Sequence, residues 1–193
     1  MSEPRGARGI PSIERFLDEL TAWGRRVNLV GSTSPDALQV HVSDALGVVD
    51  ALPAGARVVD LGSGAGFPGI PLALVRPDLR LTLVEIRERR VAFLRHVKRV
   101  LGAGFEVRRT RIEHGPEPSG PYEFALMRAV APLRRALPLA RPWVHDDGEI
   151  WVWTREVVPE SVDPATGLAG RIELGARGQV LRVRAAAVPR GTL

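Results

Sequence analysis

"VVDLGSGAGFPGIP", residues 58–71, decides the fold. A short apolar run carrying one aspartate, Asp60, gives way to glycines at 62, 64, 66 and 69, and then to Ile70-Pro71-Leu72. That order predicts a buried strand, a tight turn and an apolar helix. Glycines at this spacing let a ligand approach the backbone closely. A turn that holds no ligand is the plain alternative.

Two ligand classes compete for such a turn. Gly64-Ala-Gly66-Phe-Pro-Gly69 is formally the G-x-G-x-x-G of dinucleotide sites. Asp60-x-Gly62-Ser63-Gly64-x-Gly66 is also the first motif of class I S-adenosyl-L-methionine methyltransferases. Charge separates them. A pyrophosphate would lie at the helix N-terminus, where a carboxylate on Asp60 repels it. S-adenosylmethionine has no phosphate, and its ammonium and sulfonium would be attracted by Asp60. Glu85 follows Gly62 by 23 residues and ends the next apolar run. A carboxylate there can accept from both ribose hydroxyls, which fits either adenosine ligand. A surface glutamate at a strand end is the bland reading. Glu113, in Arg-Ile-Glu (111–113), falls where an adenine-contacting loop is expected.

Working outward, residues 12–23 carry Ile13, Phe16, Leu17, Leu20 and Trp23 at helical spacing. Ser34-Pro35-Asp36 starts a second helix, running to about Leu52. Beyond the opening motif, strands are expected at 79–85, 105–111, 122–130 and 149–154, and helices at 87–101 and 132–141. Residues 170–175 and 179–188 flank Ala176-Arg177-Gly178 as a hairpin. The expectation is an α/β, Rossmann-like fold: a mostly parallel sheet, an antiparallel C-terminal hairpin, and an N-terminal helical extension. The extension covers residues 1–53 and the core 54–193.

With no cysteine among 193 residues, disulfides and thiolate metal sites are excluded. Four scattered histidines make no metal site, and none is expected. The longest aliphatic runs are too short to cross a bilayer, and Met1–Pro11 lacks a secretory core, so a soluble cytoplasmic protein is expected. Net charge is +5, and Lys98 is the only lysine. Residues 87–111 hold nine basic side chains against Glu88 and Glu106. That is either a footprint for a polyanion such as RNA or a solvated helix face.

Several stretches together resemble one family, the bacterial 16S ribosomal RNA guanine-N7 methyltransferases, also called glucose-inhibited division protein B. They are "WGRRVNL" (23–29), "HVSDAL" (41–46), "VVDLGSGAGFPGIPLA" (58–73), "EIRERRVAFL" (85–94), "RIE" (111–113) and "MRAV" (127–130). The resemblance spans nearly the whole chain. It implies a class I methyltransferase fold, S-adenosylmethionine as methyl donor, and 16S rRNA or the small subunit as partner, with no membrane and a monomeric protein. It implies that Asp60, Gly62, Ser63, Gly64, Gly66, Phe67 and Glu85 line the donor site, with Ile112 and Glu113 flanking the adenine. Arg128 would be the catalytic residue, pointing into the cleft beside the donor. His41 and Asp44 would bring the N-terminal extension to the cleft's edge, the alternative being a local contact on one helix. Ala45 stands where the family usually has serine, and Val30 where it has threonine. Thr154-Arg155 replaces the family's lysine-glycine pair, leaving Arg155 as the candidate RNA-contacting cation.

Guanine N7 carries a lone pair and no proton, so its methylation needs no general base, and the sequence offers no evident acid–base pair near the loop. Alignment and electrostatics would carry the rate. The basic 87–111 segment, Arg134, Arg135 and Arg141 are candidates to track phosphates. The rivals are a small-molecule methyltransferase on the same fold, a nicotinamide- or flavin-dependent oxidoreductase, and a non-catalytic RNA-binding protein.

Overall fold

The computed structural model describes residues 11–24, 27–116, 121–156 and 167–189. Helix α1 spans Pro11–Gly24 and buries Ile13, Phe16 and Leu20 completely, one stripe of an amphipathic helix. Helix α2 spans Pro35–Leu46. Its N-cap is Ser34, whose hydroxyl accepts from the Ala37 amide, and Pro35 fills the first turn. α2 stops short of the expected Leu52. Gly47 caps it, and a separate 3₁₀ turn covers Val49–Ala51.

The α/β unit follows: β1 (Arg57–Leu61), α3 (Gly69–Val75), β2 (Arg80–Glu85), α4 (Glu88–Leu101), β3 (Glu106–Arg109), β4 (Tyr122–Arg128), α5 (Leu133–Ala140) and β5 (Val144–Thr154). β6 (Leu168–Glu173) and β7 (Gln179–Arg184) form the closing hairpin. β5 begins earlier than expected. The strand is expected from 149, but it runs back through His145-Asp146-Asp147 to Val144, with an irregularity between Tyr122 and Phe124 of β4. There Gly148 packs so close that a Cβ would lie 2.5 Å from the Glu123 carbonyl.

The seven-stranded sheet has the order β3-β2-β1-β4-β5-β7-β6. β1 to β5 are parallel, β7 is antiparallel to β5, and β6 is antiparallel to β7. One face is covered by α1 to α4, whose Phe16, Leu38, Val42, Ile70, Phe93 and Val97 share a core with Val58, Leu81 and Trp151. α5 covers the other face, where Tyr122, Trp143 and Ile150 are buried. The N-terminal helices therefore pack into the same core as the sheet. The strand order reverses direction between β1 and β4, so the crevice beyond their carboxyl ends is the topological switch point where ligands of open α/β sheets bind.

Candidate functional site

The opening motif turns at the carboxyl end of β1. Gly62 and Ser63 donate backbone N–H bonds to the Val84 carbonyl at 2.8 and 3.0 Å, tying the loop to β2. Gly62 has φ +74°, and a Cβ there would stand 2.7 Å from Val130 Cγ2. Gly66 has φ +92°, and a Cβ there would overlap Ile70. Both positions exclude a side chain on conformation and on space. Ser63 is buried, its hydroxyl donating to the Asp60 carbonyl at 2.8 Å.

Asp60 lies beneath this loop, 1% exposed. Its Oδ2 accepts from the Gly69 amide at 3.1 Å, at the start of α3. Burial pushes its carboxyl up to about 7, opposed by the Gly69 N–H, the Ser63 hydroxyl and the charge of Arg128. The acid thus sits under the backbone of the loop rather than in an open cleft.

Glu85, at the end of β2, is also buried. Oε1 accepts from the Ile86 and Arg87 amides, both at 2.8 Å, and Oε2 from the Gly64 amide at 3.1 Å, with Arg90 Nη1 at 3.7 Å. A carboxylate offers about four acceptor positions, so three are engaged by backbone. Beside it opens a cavity of about 160 Å³, lined by Gly62, Val84, Glu85, Ile86, Ile112 and Glu113. Four residues expected at the donor site, Gly62, Glu85, Ile112 and Glu113, therefore meet here. Trp143 ties down Ile112, Nε1 donating to its carbonyl at 2.7 Å. Phe67 faces elsewhere. Its ring packs between Phe16 and His41, with centroids 5.3 Å from each.

Across the switch point, Arg128 ends β4. Its Nη2 donates to Asp44 Oδ2 at 2.9 Å and to His41 Nδ1 at 2.8 Å. His41 and Asp44 are thus joined through Arg128, whose Nη2 bonds both. Burial, and then the neighbouring Arg128 charge, lower the His41 pKa from its ordinary value, which suits a neutral ring accepting at Nδ1. Ala129 follows in the left-handed region, φ +55°, unusual for a residue with a side chain. Asp44, Arg128, Ala129, Trp153, Arg155 and Arg177 line a second cavity of about 170 Å³. Arg155 is exposed there.

Arg177 was not foreseen. It sits on the turn between β6 and β7, with Nη1 2.9 Å from Asp44 Oδ1. A hairpin-turn arginine carries no sequence signal; only the antiparallel pairing of β7 with β5 brings it beside Arg155. Arg141 corrects an expectation. It is 3% exposed, donating to the Val188 and Val144 carbonyls and paired with Asp146, so it cannot track phosphates. Arg134 and Arg135 are exposed. Within 87–111, Arg109 pairs with Glu88 at 3.3 Å, and Arg89, Arg95 and Arg99 are exposed along α4.

Among solved structures, a SAM-dependent methyltransferase from Aquifex aeolicus superposes with a TM-score of 0.57 at 19% identity, covering 78% of this chain and 93% of that one. A mutant of MtNAS in complex with S-adenosylmethionine gives 0.59 at 22% identity, covering 91% and 73%. These likenesses establish the fold as that of class I methyltransferases, the mostly parallel sheet expected from the sequence. In sequence, the "Ribosomal RNA small subunit methyltransferase G" of Gluconobacter oxydans is 40% identical over 139 residues, 70% of this chain and 69% of that one. The protein of the same name from a Methylobacterium species is 32% identical over 180 residues, 81% and 85%. The family model described as rRNA small subunit methyltransferase G matches residues 9–157, from α1 through β5 and both cavities' parallel-strand walls, and to that family this chain belongs.

Proposed function

We propose that this protein transfers a methyl group from S-adenosylmethionine to N7 of a guanine in 16S ribosomal RNA. The observation that carries the reading is the pair of cavities flanking the β1–β4 switch point. One holds the buried Glu85 carboxylate and the other is ringed by arginines. Family membership supports both the donor and the ribosomal substrate.

The first cavity fits the donor. It has a carboxylate with acceptor capacity left at its wall, an apolar flank in Ile112, and a glycine at 62 where a Cβ would intrude. Glu85 would hold the ribose, Ile112 and Glu113 would border the adenine, and the Gly62–Gly66 backbone would face the methionine portion. When bound, S-adenosylmethionine supplies an electrophilic methyl group on a sulfonium.

The chain's own residues then orient and stabilise. N7 attacks with its lone pair, so no side chain need remove a proton. The methyl group would pass from sulfur to N7, its positive charge going with it, so no residue of this chain would have to take up a proton. Asp60, buried beneath the loop, would act on the donor's charge through the loop backbone and not by direct contact. Arg128, locked by Asp44 and His41, is preorganised and needs no reorientation when the base arrives. The target must leave its stack to reach either cavity, as bases modified by enzymes do. Arg155 and the exposed arginines of α4 are suited to phosphates. We read the protein as acting as a monomer, and an RNA of the ribosome as substrate would fit action in the cytoplasm.

The test is incubation with isotopically labelled S-adenosylmethionine and small subunits lacking the modification, followed by nucleoside analysis. Label in 7-methylguanosine is expected. Label in another nucleoside, or only in small molecules, overturns the reading.

A further inference from the structure

Asp44 presents an unusual group. Its residue is 5% exposed, and its Oδ1 makes no hydrogen bond although it is buried. Arg177 Nη1 stands 2.9 Å away, an ion pair without hydrogen-bond geometry. Buried acceptors left so are rare and call for a cause. The rest of the residue is firmly held. Oδ2 takes the Arg128 bond at 2.9 Å, and the backbone carbonyl takes the Trp153 Nε1 bond at 3.2 Å. A firmly held carboxylate, one of whose oxygens carries only the Arg177 ion pair, therefore borders a cavity of about 170 Å³.

That pairing has a chemical complement. Guanine presents O6, N1–H and N2–H in a row, one acceptor followed by two donors. A carboxylate flanked by a guanidinium presents the matching order. Adenine sets its N1 acceptor against such a carboxylate, and cytosine its N3 acceptor. Uracil offers one donor between two carbonyls. The Watson–Crick edge also lies across the ring system from N7. A base gripped by that edge turns N7 away from Asp44. An arginine at O6 leaves the N7 lone pair free.

We infer that Asp44, flanked by Arg177, reads the Watson–Crick edge of the target guanine in the cavity beyond β4 and β5. This rests on the methyltransferase reading above and names the group that selects its base. In the free protein Arg177 keeps the place beside Oδ1 that the N1 and N2 hydrogens take in the complex. The competing occupant of a cavity with three arginines is a backbone phosphate; the Asp44 carboxylate repels an anion and favours a donor-bearing base instead.

The experiment uses the full chain and a synthetic 16S rRNA fragment spanning the nucleotide found by methyl mapping. One version carries guanosine at the target and the other inosine, which lacks only the N2 amine. Methyl transfer by the unaltered protein to the guanosine fragment is the control for the function itself; no transfer there removes that reading and this one with it. With transfer present, kcat/KM for guanosine is expected to exceed that for inosine by at least about tenfold, because a site built to bond a substrate N–H rejects the analogue without it. Equal rates overturn the inference. Asp44→Asn should bring the ratio near one while lowering both rates, and a preserved ratio in a folded Asp44→Asn protein overturns it. Arg177→Ala distinguishes the phosphate: equal losses on both fragments, with the ratio unmoved in Asp44→Asn, assign the cavity to the RNA backbone. Donor affinity measured by calorimetry should be unchanged in Arg177→Ala.

Discussion

Arg128 and His41 stand 87 positions apart in the chain, yet Nη2 of one lies 2.8 Å from Nδ1 of the other. A guanidinium can only donate, so Nδ1 must be the unprotonated nitrogen. The edge of the cleft therefore depends on a neutral imidazole from α2 holding an arginine from β4.

This contact makes the cleft sensitive to acid. The His41 pKa is lowered by burial and then by Arg128. Its contribution to stability is complete above the ordinary 6.5 and is lost as pH falls below it. The melting temperature of the unaltered protein should drop more than that of His41→Asn between pH 7.5 and 5.5, since asparagine keeps an acceptor but takes no charge. Parallel curves for the two proteins would remove His41 as the titrating group. Arg128→Ala should lower RNA methylation by at least about tenfold, equivalent to 1.4 kcal/mol of barrier, in an assay at saturating donor.

The donor class can be read by thermal shift. S-adenosylmethionine or its demethylated product should raise the melting temperature, because a ligand that binds only the folded state stabilises it by mass action. Nicotinamide dinucleotides should leave it unmoved. A shift with the dinucleotide alone would return the oxidoreductase reading.

Glu85→Ala should weaken donor binding by about tenfold or more, on the scale of one lost hydrogen bond to a charged group, roughly 1.5–3 kcal/mol. The side chain also gathers three backbone amides, so the loop itself should loosen. Calorimetry at a temperature where circular dichroism shows the variant folded separates the two effects. Unchanged affinity there would put the ribose elsewhere.

Asp60 gives the opposite pH signature. Its carboxyl is raised to about 7, so the protonated form contributes stability that is complete below the ordinary 3.8 and lost as pH rises through about 7. Asp60→Asn should gain on the unaltered protein as pH moves from 5 to 8, by on the order of 5 °C in melting temperature. If the donor's cationic groups favour the charged form, donor binding near pH 7 should release a proton. Calorimetry in two buffers of different ionisation enthalpy measures that directly, and identical heats would detach Asp60 from the donor.

Arg155→Ala should reduce RNA methylation by about tenfold while donor affinity stays constant, and activity of the unaltered protein should fall steeply with added salt if several phosphates are neutralised. A salt-insensitive rate, with Arg155→Ala at full activity, would favour a small-molecule acceptor.

The parallel half of the fold was legible because its signals are local. Alternating apolar residues mark β2, although the strand is buried on both faces from Leu81 to Glu85, and the spacing of Val91, Leu94 and Val97 marks α4, where all three are buried. Boundaries set by caps or by neighbouring strands were not. Gly47 ended α2 early, and β5 reached back through a polar triplet because β4 was there to pair with it. The residues of the cavity proposed for the donor were legible for the same reason as β1: they sit at strand ends and in the turns that follow them. The second cavity was half legible. Arg128, His41 and Asp44 carried a family pattern, but Arg177 enters from a hairpin whose position depends on the whole sheet. Arg141 shows the reverse error, since an arginine in sequence does not reveal whether it folds inward.

Phe16 of α1 packs on Phe67 at the back of the glycine loop, and it reaches Phe93 of α4 as well. Synthesis runs from the amino end, so α1 has no docking surface until the loop and α4 have left the ribosome. Until then its apolar stripe has only solvent or a chaperone to meet. Acquisition of the cleft is thus tied to a late, long-range closure by an early segment. A chain truncated before α2 would be born with the floor of its glycine loop missing, and its defect would show first as poor yield and aggregation, ahead of any loss in turnover.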